Sequence, residues 1–160
     1  MTRINTIDPV HLTNEWLIAE FRELPRIVNE LHKHPQRFKL KDIPKEFTLN
    51  TGHVKFFRNK LLYLSKRHTD IIKELSERGI NFDKKIKVNL DNLSPSIKLF
   101  GCNDWKPSKR DHKLIVERLT ERFNLRKKAY HLTTSSTKVT INCDESYNNY
   151  KSACLDNYIK

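Results

Sequence analysis

Apolar residues recur at helical spacing in three parts of the chain. The first predicted helix begins after Thr13 and Asn14, two residues that favour the N-cap position. Its apolar positions are three or four residues apart, so they share one face. They are Leu17, Phe21, Leu24, Val28 and Leu31. Pro25 lies inside this helix and lacks a backbone N–H, so we expect a kink near Phe21.

Two further helices are predicted downstream. The second runs from about His53 to Arg78, and Gly79 is suited to end it. The third begins near Pro107 and Ser108. The buried stripe of the second helix is formed by Val54, Phe57, Leu61, Leu64, Ile71 and Leu75, and that of the third by Leu114, Ile115, Leu119 and Phe123.

The segments between these helices show little pattern. Residues 33–51 and 80–106 hold prolines, glycine or asparagines, which favour loops. The tail from about Leu132 is rich in polar residues, and Thr137–Ile141 alternates weakly, so a short strand and an irregular tail both remain open. The fold class predicted is mainly α, a compact single domain of three helices with long irregular connecting loops.

The charge of the chain narrows its partners. Lys and Arg number 31 against 19 Asp and Glu, a net charge of +12, and the whole excess lies in residues 1–136. Folded domains this basic usually bind polyanions, so nucleic acid is the leading partner. A membrane surface ranks second, because no predicted helix is both strongly basic and broadly apolar. A basic protein without a polyanionic partner is the remaining alternative.

Other composition signals are mostly negative. No apolar run approaches the roughly 18 residues of a membrane span, and the N-terminus lacks the apolar stretch of a secretory signal. Three cysteines, at positions 102, 143 and 154, match no zinc-binding spacing. We therefore expect a cytoplasmic protein, in the host cell's cytoplasm if the chain is viral, with no metal and no membrane partner.

A charged cluster lies on the polar side of the first predicted helix. Arg22 and Arg26 are one helical turn apart, and Glu23 stands beside them. Such a cluster is ordinarily a solvated helix face. Paired guanidinium groups are also suited to phosphate oxygens. Spacing alone does not decide between these two interpretations, and it does not indicate a reaction.

Several motifs together resemble one family. They are Met-Thr-Arg-Ile-Asn at residues 1–5, Ala-Glu-Phe-Arg-Glu-Leu-Pro-Arg at 19–26, Gly-His-Val-Lys-Phe-Phe at 52–57 and Glu-Arg-Leu-Thr-Glu-Arg at 117–122. In this order and at these positions the chain resembles the phage endonuclease V family of pyrimidine-dimer DNA glycosylases. The resemblance is strong over about residues 1–82 and returns on the third predicted helix.

The resemblance implies a specific chemistry. Removal of Met1 would expose the amine of Thr2, which would attack C1′ of the damaged nucleotide, release the base and leave a Schiff base. Glu23 would then assist β-elimination, so that the strand breaks. Arg3, Arg22, Arg26, Arg118 and Arg122 match positions that contact phosphates or the lesion strand. The expected substrate is duplex DNA with damaged bases or abasic sites.

The resemblance also sets the remaining expectations. It implies a monomer with no cofactor, a glycosylase domain over residues 1–131 and a neutral extension of unknown role over residues 132–160. The amine chemistry is physically reasonable. An α-amine has a reference pKa of about 7.7–8, against about 10.4 for lysine, so a useful fraction is neutral at physiological pH. Neighbouring arginines would lower that pKa further.

Two departures from the family concern the substrate. Trp16 stands where the family usually has histidine; it could stack on an exposed base or serve as a core aromatic. Tyr130 is the clear remnant of the family's aromatic segment near the C-terminus, and we expect it to bind DNA. Cyclobutane pyrimidine dimers are the first expectation for the lesion, and the alternative is altered lesion specificity or a DNA-binding protein that has lost catalysis. A metal-dependent nuclease ranks last, because no cluster of acidic residues and histidines suits two metals.

Overall fold

The computed structural model describes residues 4–134 and 136–156. The prediction of a three-helix domain is wrong. The chain is 58% helical, but this described part holds six α-helices and one two-stranded antiparallel sheet. The elements are α1 Asn14–Lys33, α2 Thr51–Phe57, α3 Leu61–Glu77, α4 Pro95–Gly101, α5 Lys109–Asn124, β1 Tyr130–Thr133, β2 Lys138–Ile141 and α6 Asp144–Tyr150. Short 3-10 turns cover Pro9–His11, Pro35–Arg37 and Leu40–Asp42, and a π-helical turn covers Lys151–Leu155.

Helix α1 forms as its apolar spacing predicts. The Thr13 hydroxyl accepts a hydrogen bond from the backbone of Trp16, which caps the helix, and the predicted apolar stripe is buried against α3. Pro25 lies inside the helix and cannot donate to the carbonyl of Phe21. Beside this position the ring of His68 of α3 stacks on Phe21, with ring centroids 5.1 Å apart. The neighbouring helix therefore packs directly against the turn that proline interrupts.

The predicted second helix is two helices. Its apolar residues keep one period from His53 to Arg78, but α2 ends at Phe57 and α3 begins at Leu61. Between them Lys60 has an extended φ of −130° and forms an isolated β-bridge with Cys102, which ends the helical path. The end of α3 agrees with the prediction: Gly79 has φ 65°, and the hydrogen bonds of Gly79 and Ile80 close a Schellman motif.

Two short helices lie where loops were expected. Pro95 favours a loop by its residue type, but it occupies the first turn of α4, where its missing N–H costs nothing. Helix α6 lies in the polar tail and buries Tyr147 and Tyr150, one turn apart. Helix α5 begins as predicted, with a capping box between Ser108 and Asp111.

The tail is part of the packed structure. Strand β2 lies within the segment expected to alternate, and it pairs with β1 so that Tyr130 faces Ile141. The tail contributes five side chains to the single hydrophobic core: Leu132, Ile141, Tyr147, Tyr150 and Leu155. Strand β1 crosses the division predicted between residues 131 and 132, and that division stays a prediction. Within the described ranges, every helix is too short or too polar to cross a membrane.

Candidate active site and DNA interface

Glu23 is a partly shielded carboxylate on α1. Its side chain is 16% exposed and accepts a hydrogen bond of 3.2 Å from Arg26, one turn further along the helix. Arg26 is 66% exposed, and Arg22 is exposed as well. The predicted cluster is thus one sheltered carboxylate between two guanidinium groups that face solvent.

The face of α1 that carries Glu23 is bordered by two other elements, β1 and the end of α2. Residues seven apart on a helix share nearly the same side, so Trp16, Glu23 and Glu30 form one line. Trp16 packs on Tyr130 of β1 at 4.9 Å between ring centroids. At the other end of this line, Glu30 pairs with Arg58, just after α2, at 3.0 Å. These contacts set Glu23 between β1 and the end of α2.

Trp16 itself is a core residue. It is 7% exposed and packs between Tyr130 and Tyr150. An indole buried in this way offers no free face to a base, so the geometry favours the second of its two expected roles. Tyr130 is only partly buried and lies at the edge of the same aromatic group.

Arg118, Arg122 and Tyr130 meet at one pocket. The pocket has a volume of about 300 Å³ and also contacts Arg126, Glu121 and Leu125. Arg118 donates to the side chain of Asn50, which immediately precedes α2, at 2.9 Å, and pairs with Glu121 at 3.3 Å. The structure therefore brings the predicted α5 arginines and Tyr130 together.

This pocket holds buried donors without acceptors. The Nε atoms of Arg118 and Arg122 are buried and have no hydrogen-bond partner among the described residues. A buried donor left unpaired carries the full cost of its desolvation. A bound anion such as a phosphate oxygen would accept from guanidinium groups, and such charge-assisted bonds are strong.

A buried polar network fixes the start of the described chain. The Glu20 carboxylate is 0% exposed and accepts two hydrogen bonds of 3.0 Å from the Arg67 guanidinium, one from Nε and one from an NH2 group. It also accepts from the backbone N–H of Asn5 at 2.9 Å and from the Asn5 side-chain amide at 2.8 Å. Tyr63 donates its hydroxyl to the Asn5 carbonyl at 3.1 Å. Asn5 is thus held through its backbone and its side chain.

The electrostatics of this network follow from burial. Burial by itself lowers the pKa of Arg67, but the nearby Glu20, Tyr63 and Asp8 together outweigh it and hold the pKa above its usual range. Burial raises the pKa of Tyr63. Arg67 therefore stays charged and Tyr63 remains a hydrogen-bond donor across the physiological range.

Two other basic groups are shifted by burial. Burial lowers the pKa of His53, at the start of α2, to about 4, against a hydrogen bond to the Thr48 carbonyl that raises it. Burial lowers the pKa of Lys60 to about 8; its ammonium lies 3.8 Å from the centre of the Phe56 ring. Within the described residues, no three histidine, cysteine, aspartate or glutamate side chains are grouped to hold a metal.

Thr2 and Arg3 lie outside the described residues. The sequence around the described site decides the family: the family of pyrimidine dimer DNA glycosylases matches residues 1–88. The chain belongs to this family. It is a DNA repair glycosylase, and DNA is its substrate. The match contains Glu23, Arg22, Arg26 and the Asn5 network, whereas the α5 arginines and Tyr130 lie beyond it.

The sequence prediction missed Glu20 and Arg67 in this glycosylase, although both left a signal. Glu20 is three residues after Leu17 and four before Leu24, so it stands on the apolar stripe of α1. Arg67 stands likewise on the stripe of α3. Charged residues are almost never fully buried unless paired, so two such positions indicate a buried ion pair. Asn50 and Arg58, which border the site, left no comparable signal.

Proposed function

We propose that this glycosylase also cleaves the strand, using its N-terminal amine as nucleophile. After loss of Met1, the Thr2 nitrogen would form a bond to C1′ as the bond from C1′ to the damaged base breaks. One amine proton goes to the departing base. The C1′–O4′ bond then breaks and O4′ takes the other proton, which opens the sugar ring and gives the Schiff base. Glu23 then takes the proton from C2′, the C3′–O bond breaks, and the 3′ phosphate leaves. Imine-forming amines are recognised covalent catalysts.

The observation that carries this proposal is the setting of Glu23. A general base must reach the substrate, and Glu23 combines partial exposure with a 3.2 Å contact that orients it on the Arg26 guanidinium. Glu20, one turn earlier, is fully enclosed by Arg67 and Asn5 and cannot take a proton from DNA. Of these two neighbouring carboxylates, only Glu23 is open to the reacting sugar.

The arginines supply the binding surface in this proposal. Arg22 and Arg26 on α1, with Arg118 and Arg122 on α5, contact phosphates of a duplex that carries a damaged pyrimidine, and Tyr130 lies beside them. The convergence of Arg118, Arg122 and Arg126 on one pocket supports an anionic occupant. We take the enzyme to act as a monomer, and cyclobutane pyrimidine dimers as its first lesion.

The test is borohydride trapping on duplex DNA that contains an abasic site. Protein beginning at Thr2 and the same protein acetylated at its α-amine are compared, and covalent adducts are located by mass spectrometry. We expect the free amine to be trapped at Thr2 and the acetylated form to give no adduct. Equal trapping of both forms would place the nucleophile on a lysine instead, with Lys60 the first candidate because burial lowers its pKa to about 8.

A shifted lesion preference is the second candidate. The specific observation is that the family match stops at residue 88, so the pocket of Arg118, Arg122 and Tyr130 belongs to the unmatched part. Trp16 also fills the core beside Tyr130. Strand cleavage of a panel of duplexes, each with one defined pyrimidine lesion and treated with alkali to open any abasic site, separates the two candidates.

A further inference from the structure

The segment before α1 is buried without being regular. From Ile4 to Thr13 it forms only the 3-10 turn Pro9–His11, yet Ile4 and Ile7 are fully buried. Backbone in such a segment must find its hydrogen bonds outside helices and sheets. At Asn5 these partners come from charged and hydroxyl side chains of α1 and α3.

The carboxylate at the centre of this network is fully used. Two of the hydrogen bonds that Glu20 accepts come from Arg67 and two from Asn5, which accounts for the acceptor sites of a carboxylate. A buried ion pair of this kind is weak evidence for stability, because apolar residues of similar volume often serve as well. What the pair adds is direction, since a guanidinium fork and a carboxylate meet in one fixed geometry.

The position of the network links it to the reaction. Three peptide units link Thr2 to Asn5, and an extended chain spans at most about 10 Å over three units. Glu20 and Glu23 are three residues apart on α1, which is a rise of about 4.5 Å along the helix. A chain of that length keeps the amine within about 10 Å of the anchored Asn5, whatever path it takes.

We propose that the Glu20–Arg67 pair, with Asn5 and Tyr63, is a positioning device that holds the N-terminal amine beside Glu23. These four are positioning residues, because none of them contacts the reacting atoms. The inference rests on the proposed function, since it assigns the amine as nucleophile. It also gives a reason for burying the Glu20–Arg67 ion pair close to the proposed catalytic carboxylate.

The test uses a matched pair of tyrosines. Asn5→Ala with Tyr63→Phe removes two of the contacts on Asn5 and leaves the buried ion pair in place. Tyr147→Phe removes one tyrosine hydroxyl contact, the 2.9 Å hydrogen bond to Thr120, away from Asn5 and serves as control. Arg67→Lys keeps the charge but cannot present the two-pronged fork. Thermal unfolding confirms that each protein is folded at the assay temperature.

The first readout is the trapping rate on abasic DNA at saturating concentration. Small misplacements of reacting groups cost up to about 100-fold, so Asn5→Ala/Tyr63→Phe should be trapped about 10- to 100-fold more slowly. DNA affinity should stay within about twofold, because the arginines are untouched. Arg67→Lys should fall between this variant and wild type. A trapping rate equal to that of Tyr147→Phe, or a loss confined to affinity, would overturn the proposal.

The second readout needs no DNA and no catalysis. A carbodiimide joins an amine to a carboxylate in contact with it, so the α-amine and Glu23 should cross-link in the wild-type protein with loss of one water. We expect about a tenfold lower yield in Asn5→Ala/Tyr63→Phe and an unchanged yield in Tyr147→Phe. An undiminished yield would refute the positioning role. If wild type cross-links in this pattern but is never trapped on DNA, the proposed nucleophile fails and the positioning device stands.

Discussion

The two ends of this glycosylase are held in different ways. The segment from Ile4 to Thr13 is tied by directional hydrogen bonds to buried charges, as at Asn5 and at the Arg78 guanidinium, which donates to the carbonyls of Pro9, Val10 and Leu12. The segment from Tyr130 to Leu155 adds five side chains to the hydrophobic core, and its hydrogen bonds to α1, such as those of His131 with Glu15, are only partly buried. Tyr147, one of these five, stacks on Phe123 with ring centroids 4.0 Å apart.

The two kinds of contact suit different tasks: one fixes the direction of a segment, and the other shields apolar surface from water. Hydrogen bonds between charged groups fix angles as well as distances, whereas apolar contacts are non-directional and tolerate changes of shape. The first segment leads to the proposed nucleophile and needs a fixed direction. The second supports β1 and the pocket of Arg118, Arg122 and Tyr130, for which burial is enough. Changes in the first region should therefore affect rate, and changes in the second should affect stability.

Glu23→Gln should show the largest effect. It retains the size of the side chain but removes the carboxylate that we propose as base, so strand cleavage should fall by about 10²–10⁴-fold. Binding to lesion DNA should persist because Arg22 and Arg26 remain. Gel assays of cleavage and of binding are compared on the same duplex, and cleavage at wild-type rate would remove Glu23 from the mechanism.

Arg67→Ala should cost the most stability. It leaves the Glu20 carboxylate buried without its cation, which typically costs about 3–5 kcal/mol. The exposed pair of Lys73 and Glu77, 3.9 Å apart, gives the control: Lys73→Ala should change stability by less than about 0.5 kcal/mol. Urea unfolding measures both. Similar losses in the two variants would mean that the buried pair is unimportant for folding.

Leu155→Ala should lower the stability of the fold without slowing the reaction. This side chain is fully buried in the C-terminal segment, so its truncation should cost about 2–5 kcal/mol. The trapping rate at saturating DNA, measured well below the unfolding temperature, should remain within about twofold of wild type. A tenfold loss of rate in the folded variant would contradict the division between the two ends.

Stability should fall in acid because of His53. Burial lowers its pKa in the folded protein to about 4, below the unfolded value near 6.5. At pH values between these two pKa values, the unfolded chain binds more protons than the folded protein. The free energy of unfolding therefore decreases as the pH falls through this window. The contribution lost is roughly 3 kcal/mol. Urea unfolding of wild type and His53→Gln from pH 7 to 4 should show a shallower decrease in the variant, and parallel curves would exclude His53 as the cause.

The smallest effects should come from single phosphate contacts. Arg22→Ala on α1 and Arg118→Ala on α5 should each flatten the slope of log affinity against log salt by about one unit. Lys73→Ala is again the control, because Lys73 lies near Asp70 and Glu77 on an acidic part of α3. A slope that changes only for Arg22 would restrict DNA binding to the N-terminal region.

The fold was predictable where helices are long. The 20 residues of α1 and the 16 of α5 each show a sustained apolar stripe and a capping residue. The break between α2 and α3 escaped prediction because Arg58, Asn59 and Lys60 include no glycine or proline, and the break depends on a bridge to distant Cys102. Helices α4 and α6 have seven residues each, too short for periodicity to reveal.

The candidate site was predictable only in part. The cluster around Glu23 could be named because its members adjoin in sequence and match a family motif. The contact of Arg118 with Asn50 joins residues 68 apart, and no spacing rule predicts such a neighbour. Glu20 and Arg67, 47 residues apart, were detectable singly as charges on apolar stripes, but their pairing required the packing of α1 on α3.

The hydrogen bond from Tyr150 to the carbonyl of His11 can form only late in synthesis of the chain. Its partners are 139 residues apart, so the bond cannot form until almost the whole described chain has left the ribosome. At about 5–20 residues per second this takes roughly 10 s. Until then the leading segment lacks its hydrogen bond to Tyr150. It also lacks the link through His112, which hydrogen-bonds to both Thr6 and the Leu155 carbonyl. The proposed removal of Met1 would therefore act on a nascent chain whose leading segment these hydrogen bonds do not yet hold.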